Sequence, residues 1–254
     1  MTVCLQLWNI RAGNRETVMA RSVKTYKLLC EYRFKPTLLF YDAKNQIGDA
    51  LFKNYKHWTH DGLKINLNNF ENRSVLAIDH NRFALEFDIP DTYDEFRTEF
   101  ARAYKEYTRR VKIEKYLRCG LRMQSMISTE MHFSELTKIT EGKFFSHEKE
   151  LLQIVGNHID DYQYNVISER EGFKIHLICG PVLKEEIGRW YQPASLILDP
   201  GQEPKPIKYH DVAFFIDCDC YVENPAPGIS ENFLDRAIRL VTSINNATNE
   251  YIWR

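Results

Sequence analysis

The sequence predicts an α+β protein made of two ferredoxin-like (split βαβ) units packed together, and three observations lead there. Residues 26–127 pass through periodicities in the order strand, helix, strand, strand, helix, strand, which is the split βαβ order. Within them, residues 82–127 read RFALEFDIP, DTYDEFRTEFARAYKEYTRR and VKIEKYLRCGLRMQSMI, a strand, a helix and a strand with almost no connecting residues. The second half again runs from a strand (212–223) through prolines at Pro225 and Pro227 to an amphipathic helix (230–251). The expected division is an N-terminal arm at 1–22, a first ferredoxin-like unit at 23–130 and a second α+β unit at 131–254.

Taken in order, residues 2–8 form a short strand or an arm. Residues 26–34 alternate cleanly, with Tyr26, Leu28, Cys30, Tyr32 and Phe34 on one face and Lys27, Leu29, Glu31 and Arg33 on the other. Pro36 ends that strand. Ile47, Leu51 and Tyr55 mark a helical stripe over 41–57, and His57, Trp58 and His60 lead into a turn at Asp61-Gly62. A strand follows at 63–67. Two further strand-like runs, 74–79 and 82–88, are pinched at Asp79-His80-Asn81, as one bent strand or a tight hairpin. Thr92 and Glu95 form a capping box for a helix whose face carries Tyr93, Phe96, Phe100, Ala103 and Tyr107, with Arg109 and Arg110 at its cation-favouring end. In the strand after it, Ile113, Leu117, Leu121 and Met123 point inward, while Glu114, Tyr116, Arg118 and Arg122 point outward. Helical material is expected at 133–139 and 147–155. Strands at 162–168 and 173–182 flank a turn at Glu169-Arg170-Glu171-Gly172. A short helix at 184–191 precedes an irregular, proline-bearing stretch at 192–211.

Composition narrows the function classes. Thirty-four Lys+Arg against 35 Asp+Glu leave no global charge for a duplex DNA partner. The hydrophobic fraction of 44% is enough for a sizeable core. Six scattered cysteines without a CxxC pair read as reduced core thiols of a cytoplasmic protein. The first residues lack a signal-peptide pattern, and no run reaches membrane-spanning length. There is no glycine-rich dinucleotide fingerprint, P-loop, nucleophile elbow or HExxH pair, so no cofactor is expected.

Two sets of residues stand out as candidate sites. Asp217 and Asp219 share one face of the 212–223 strand, where paired carboxylates can hold Mg²⁺ or divide acid and base roles. The rival reading of that pair is a polar strand face met by an arginine from a neighbouring strand. Glu31 and Arg33 on the first strand, with Arg118 and Arg122 on the last strand of the first unit, fall on an open sheet surface that could bind single-stranded RNA or DNA. Internal ion pairing is the competing explanation. Cys218-x-Cys220 lies on the apolar strand face and reads as core, and His57, Trp58 and His60 form at most a small metal or base cluster.

Several short motifs, in order, resemble a sporadically distributed bacterial family of uncharacterised proteins. They are Glu31-Tyr32-Arg33-Phe34-Lys35-Pro36, Ile78-Asp79-His80-Asn81-Arg82-Phe83, Arg118-Cys119-Gly120-Leu121-Arg122-Met123-Gln124, and Ile216–Tyr221 followed by the closing helix. The resemblance covers residues 23–254 and departs from the family pattern at Met123-Gln124. It implies no catalytic residues, and its patchy distribution is similar to that of phage-defence and toxin–antitoxin components. The expectation is therefore a non-catalytic binding or regulatory subunit of an antiphage defence or toxin–antitoxin system, with another protein, encoded by a neighbouring gene, as partner. The alternatives are an RNA-binding or RNA-processing protein that uses the open sheet face, and a metal-dependent enzyme centred on Asp217 and Asp219.

Overall fold

The structure, a computed structural model, describes residues 21–60, 62–145, 154, 161–186, 211–226, 228 and 232–254. Residues 1–20 of the expected N-terminal arm, most of the 147–155 helix, most of the 184–191 helix and residues 192–210 lie outside the described residues. The elements run β1 (Lys24–Phe34), α1 (Leu39–Leu51), β2 (His57–His60), β3 (Lys64–Asn69), β4 (Ser74–Asp79), β5 (Arg82–Asp88), α2 (Tyr93–Thr108), β6 (Tyr116–Thr129), α3 (Phe133–Phe144), β7 (Tyr164–Arg170), β8 (Phe173–Leu183), β9 (Val212–Glu223) and α4 (Phe233–Trp253). No helix among the described residues is long and apolar enough to cross a membrane.

The α+β class is as expected, and the strands of both halves form one continuous antiparallel sheet, in the order β2-β3-β4-β5-β1-β6-β9-β8-β7. The physical reason is β6, which pairs along its length with β1 on one side and with β9 on the other. Strand alternation then sorts the side chains of both halves onto common faces. A single buried row runs Leu67, Leu76, Leu85, Cys30, Leu121, Cys220, Ile175 through directly paired positions. Phe40, Ile47 and Leu51 of α1, Phe96, Phe100 and Ala103 of α2, and Phe233, Ala237 and Val241 of α4 pack on that inner face. Leu136 of α3 and Ile252 of α4 close its other end against Ile127, Phe214 and Ile216. At roughly 1.5–3 kcal/mol for each large apolar side chain buried, this layer contributes the main driving force. Tyr32 sits at its centre, edge-on to Phe100 (5.0 Å), Tyr104 (5.2 Å), Tyr116 (5.9 Å) and Phe233 (5.7 Å).

Local chemistry sets the element ends. The Thr92 hydroxyl accepts from the Glu95 N–H at 3.1 Å, capping α2 as its sequence predicts. The Glu135 carboxylate accepts from the His132 N–H at 3.2 Å at the start of α3. The β7–β8 turn is only Glu171-Gly172, with φ of 56° and 81°, the two-residue turn whose twist suits a hairpin. It is tighter than the four-residue turn expected there. The runs 74–79 and 82–88 form a hairpin rather than one bent strand. The helix expected over 41–57 stops at Leu51, and His57–His60 pairs with β3 instead of leading into a turn.

Two bulges overturn inward and outward assignments made from strict alternation. Arg33 pairs with Arg118 but Phe34 pairs with Tyr116, leaving Leu117 as the extra residue. Leu117 therefore turns outward, 39% exposed, and Tyr116 packs against the core, the reverse of the expected faces. At the other end Thr25 pairs with Ser125 and Lys27 with Gln124, so Tyr26 is the extra residue. It leaves the face of Leu28 and Cys30 and joins Met126, Val182, Ala213 and Phe215 in a small cluster built by strands alone on the opposite face.

Gly180 on β8 marks a close crossing, since a Cβ there would lie 2.6 Å from the Tyr162 carbonyl oxygen. Backbone cannot retreat as a side-chain tip can. Gly180→Ala is expected to cost about 1–3 kcal/mol, read as a lower denaturation midpoint with an unchanged slope; a midpoint equal to that of the natural chain would contradict the contact.

Candidate functional site

All six residues singled out from the sequence converge on the sheet face opposite the helices, across β1, β6 and β9. Alternation places Glu31 and Arg33 of β1, Arg118 and Arg122 of β6, and Asp217 and Asp219 of β9 on that face. Register does the rest. Arg122 lies opposite Asp219, Gln124 opposite Asp217, and Gly120 stands between Glu31 and Tyr221.

The result is an ion network. Arg122 grips Asp217, its Nε donating to Oδ1 at 2.9 Å and to Oδ2 at 3.1 Å and its Nη2 donating to Oδ2. Gln124 Nε2 adds a bond to Asp217 Oδ2 at 3.1 Å. Arg118 donates from Nη2 to Asp219 Oδ2 at 2.7 Å and from Nη1 to Glu31 Oε1 at 3.4 Å. Arg33 Nε donates to Glu31 Oε1 at 2.6 Å, and Arg82 Nε on β5 sits 2.6 Å from Glu31 Oε2. Arg118 also lies over the Tyr221 ring, 4.5 Å from its centroid. Gly120 makes this possible, because a Cβ there would come within 2.8 Å of the Arg118 guanidinium.

Burial separates most of these charges by sign. The side chains of Glu31 and Asp217 are 7% and 3% exposed, whereas those of Arg33, Arg122 and Arg82 are 57%, 45% and 41% exposed. Glu31 and Asp217 form the floor and Arg33, Arg82 and Arg122 the surface, while Arg118 and Asp219, at 22% and 26% exposed, lie at similar depth. Desolvating a carboxylate costs several kcal/mol unless it is matched, and the bidentate arginine supplies that match. Asp219 is matched less fully. Burial pushes its carboxyl upward, Arg118 and Arg122 pull it back, and Asp217 adds to the rise. The hydrogen bond to Asp217 raises Arg122, which stays charged.

The solvent-facing groups of this face are guanidinium groups, and Asp217 is already paired with one of them. Asp217 and Asp219 do share a strand face, but a cation at Asp217 would have to displace Arg122, and no group of three or more His, Cys, Asp or Glu suited to a metal occurs among the described residues. Cys218 and Cys220 lie on the opposite, apolar face; burial raises both thiols, that of Cys220 to about 12, so neither is a thiolate ligand or nucleophile at neutral pH. Strand β2 splits His57, Trp58 and His60, with the His57 ring against Phe70 and the Trp58 ring against His60, so they do not converge as a cluster.

Reading the sequence alone assigned no role at the site to Arg82, Gly120 or Gln124. Gly120 carries a signal, since a glycine within a strand marks a close approach. Arg82 had none until the pairing of β5 with β1 placed it beside Arg33. No protein-family profile and no curated protein matches the chain.

Two outcomes test this geometry. Asp217→Asn leaves Arg122 and Gln124 without their anion and is expected to cost about 1–3 kcal/mol in chemical denaturation, with the double change Asp217→Leu/Arg122→Leu recovering part of the loss; equal losses in both would contradict the pairing. Because burial raises the Asp219 carboxyl above its unfolded value, the folded protein holds that proton more tightly than the unfolded chain. The natural chain should therefore gain stability relative to Asp219→Asn as pH falls from about 7 to about 4. A relative loss of melting temperature over that range would show the opposite linkage.

Proposed function

We propose that this protein is a non-catalytic binding or regulatory subunit whose working surface is the open face of β1, β6 and β9. One observation carries the reading: solvent-facing guanidinium groups of Arg33, Arg82 and Arg122 are held above buried carboxylates, so the donor row is fixed before any partner arrives. Fixed donors spare a partner the entropy of ordering long side chains, which favours recognition of carboxylate or phosphate groups. Burial in the core keeps the described cysteines protonated, and Asp217 is committed to Arg122, so the side chains best equipped for chemistry serve structure instead.

The partner class we favour is another protein presenting acidic side chains, encoded by a neighbouring gene in an antiphage defence or toxin–antitoxin system. The family resemblance at 118–124 and 216–221 supports that context, and both motifs lie in the strands of this face. The same reading treats β1, α1, β4, β5, α2 and β6 as a ferredoxin-like unit, supported by the spatial order β4-β5-β1-β6. A second reading, single-stranded RNA on the same face, draws on Tyr221 beneath Arg118 as a stacking platform.

The test is co-purification with the products of adjacent genes, compared between the natural chain and Arg33→Gln or Arg82→Gln changed singly. Each side chain is half exposed, and in each variant the other arginine and Arg118 still face Glu31, so the fold should survive. Capture of a protein that falls by about tenfold or more in either variant supports the reading. Retention on a single-stranded RNA filter with the same sensitivity would support the second, and turnover of a nucleotide by the purified protein would overturn both.

A further inference from the structure

A separate cleft opens at the far edge of the sheet, where the chain leaving α1 crosses the β3–β4 hairpin. It encloses about 320 Å³ and is lined by Lys53, Lys56, His57, Asn68, Phe70 and Glu71, with Asn54 and Asn69 at its rim. This is near the lower bound for a small-molecule site.

Asn68 is the unusual member. It is 2% exposed, faces the cleft, and its Oδ1 has no hydrogen-bond partner. A buried acceptor without a donor is costly, and apolar residues of similar shape avoid the cost. Asn69 beside it has its own structural task, its Oδ1 accepting from the Glu71 N–H at 2.9 Å to set the hairpin turn. Asn68 has no such task. The walls add two further chemistries. The rings of His57 and Phe70 meet at 4.3 Å and give an aromatic side. Lys53 and Lys56 bring two ammonium groups to the lining against the single carboxylate of Glu71, which touches Lys56 at 3.2 Å in an exposed pair that an incoming anion can replace.

We propose that this cleft binds a nucleoside 5′-monophosphate, free or as the phosphorylated end of a strand. The lysines take the phosphate, the aromatic side receives the base, and Asn68 pairs with a sugar hydroxyl or base amino group. A divalent cation is unsuited to a lysine-bearing lining, and an apolar ligand would leave Asn68 unmatched. The site is remote from the guanidinium face and stands or falls apart from it.

Calorimetric titration and thermal shift with AMP and CMP test the proposal, run beside adenosine, inorganic phosphate, and a dinucleotide with and without its 5′-phosphate. Binding of a monophosphate or of the phosphorylated dinucleotide is expected at about millimolar or below, and the stronger of the two identifies the source. Asn68→Leu should weaken binding by about tenfold or more while the ligand-free protein melts no lower. Lys53→Ala/Lys56→Ala should erase the preference for AMP over adenosine. Absence of heat and shift with every nucleotide, equal response to inorganic phosphate alone, or undiminished binding by Asn68→Leu would overturn it. If Asn68→Leu fails to fold, Asn68→Ser serves the same comparison, and undiminished binding by that variant would overturn it equally.

Discussion

Strand β6 must satisfy two neighbours at once, and most of the structure follows from that constraint. Its N–H and C=O groups alternate between β1 and β9 over most of its length. Neither neighbour can slip by one residue without moving its apolar side chains into the charged face. The charges reinforce the same register. Arg122 reaches Asp217 and Arg118 reaches Asp219 and Glu31 only when β1, β6 and β9 are aligned as they are. A slipped register would leave Glu31 and Asp217 in a dry site without partners, a far greater penalty than the pairs contribute by being made. The network thus acts as a register device, and its exposed guanidinium heads follow from the same arrangement.

This dual role explains why arginine occupies the surface positions. Lysine would neutralise the carboxylates, but its ammonium cannot bridge both oxygens of Asp217 while its stem remains on the sheet. The planar guanidinium of Arg118 additionally lies across Gly120 and against Tyr221, a path that any side chain at position 120 would obstruct. The inner face has the opposite chemistry. Cys30, Leu121 and Cys220 sit in one row with their thiols held protonated by burial, and they join the two halves of the chain beneath a common helical layer.

Much of the local fold was legible because it rests on local physics. Alternation in β9 and in β1 beyond the Tyr26 bulge, the Thr92 cap of α2 and the position of the β7–β8 turn all read correctly from neighbouring residues. The six candidate side chains were placed on exposed strand faces by the same rule. Their convergence was not legible, since it depends on which strands pair and in what register. The bulges at Tyr26 and Leu117 illustrate the limit: each inserts one residue that no periodicity announces, and each reverses the faces on one side of it. The joining of both halves into one sheet is likewise a non-local choice, made by β9 pairing with β6.

The most direct test of β6 as the organising strand is native-state hydrogen exchange resolved by strand. The backbone amides of β1, β6 and β9 that bond across the two β6 ladders should exchange last and with a common opening free energy, above those of the edge strands β2 and β7. Opening of β1 and β6 at one free energy and of β8 and β9 at a clearly lower one would instead show two separable units, and would contradict the central role of β6.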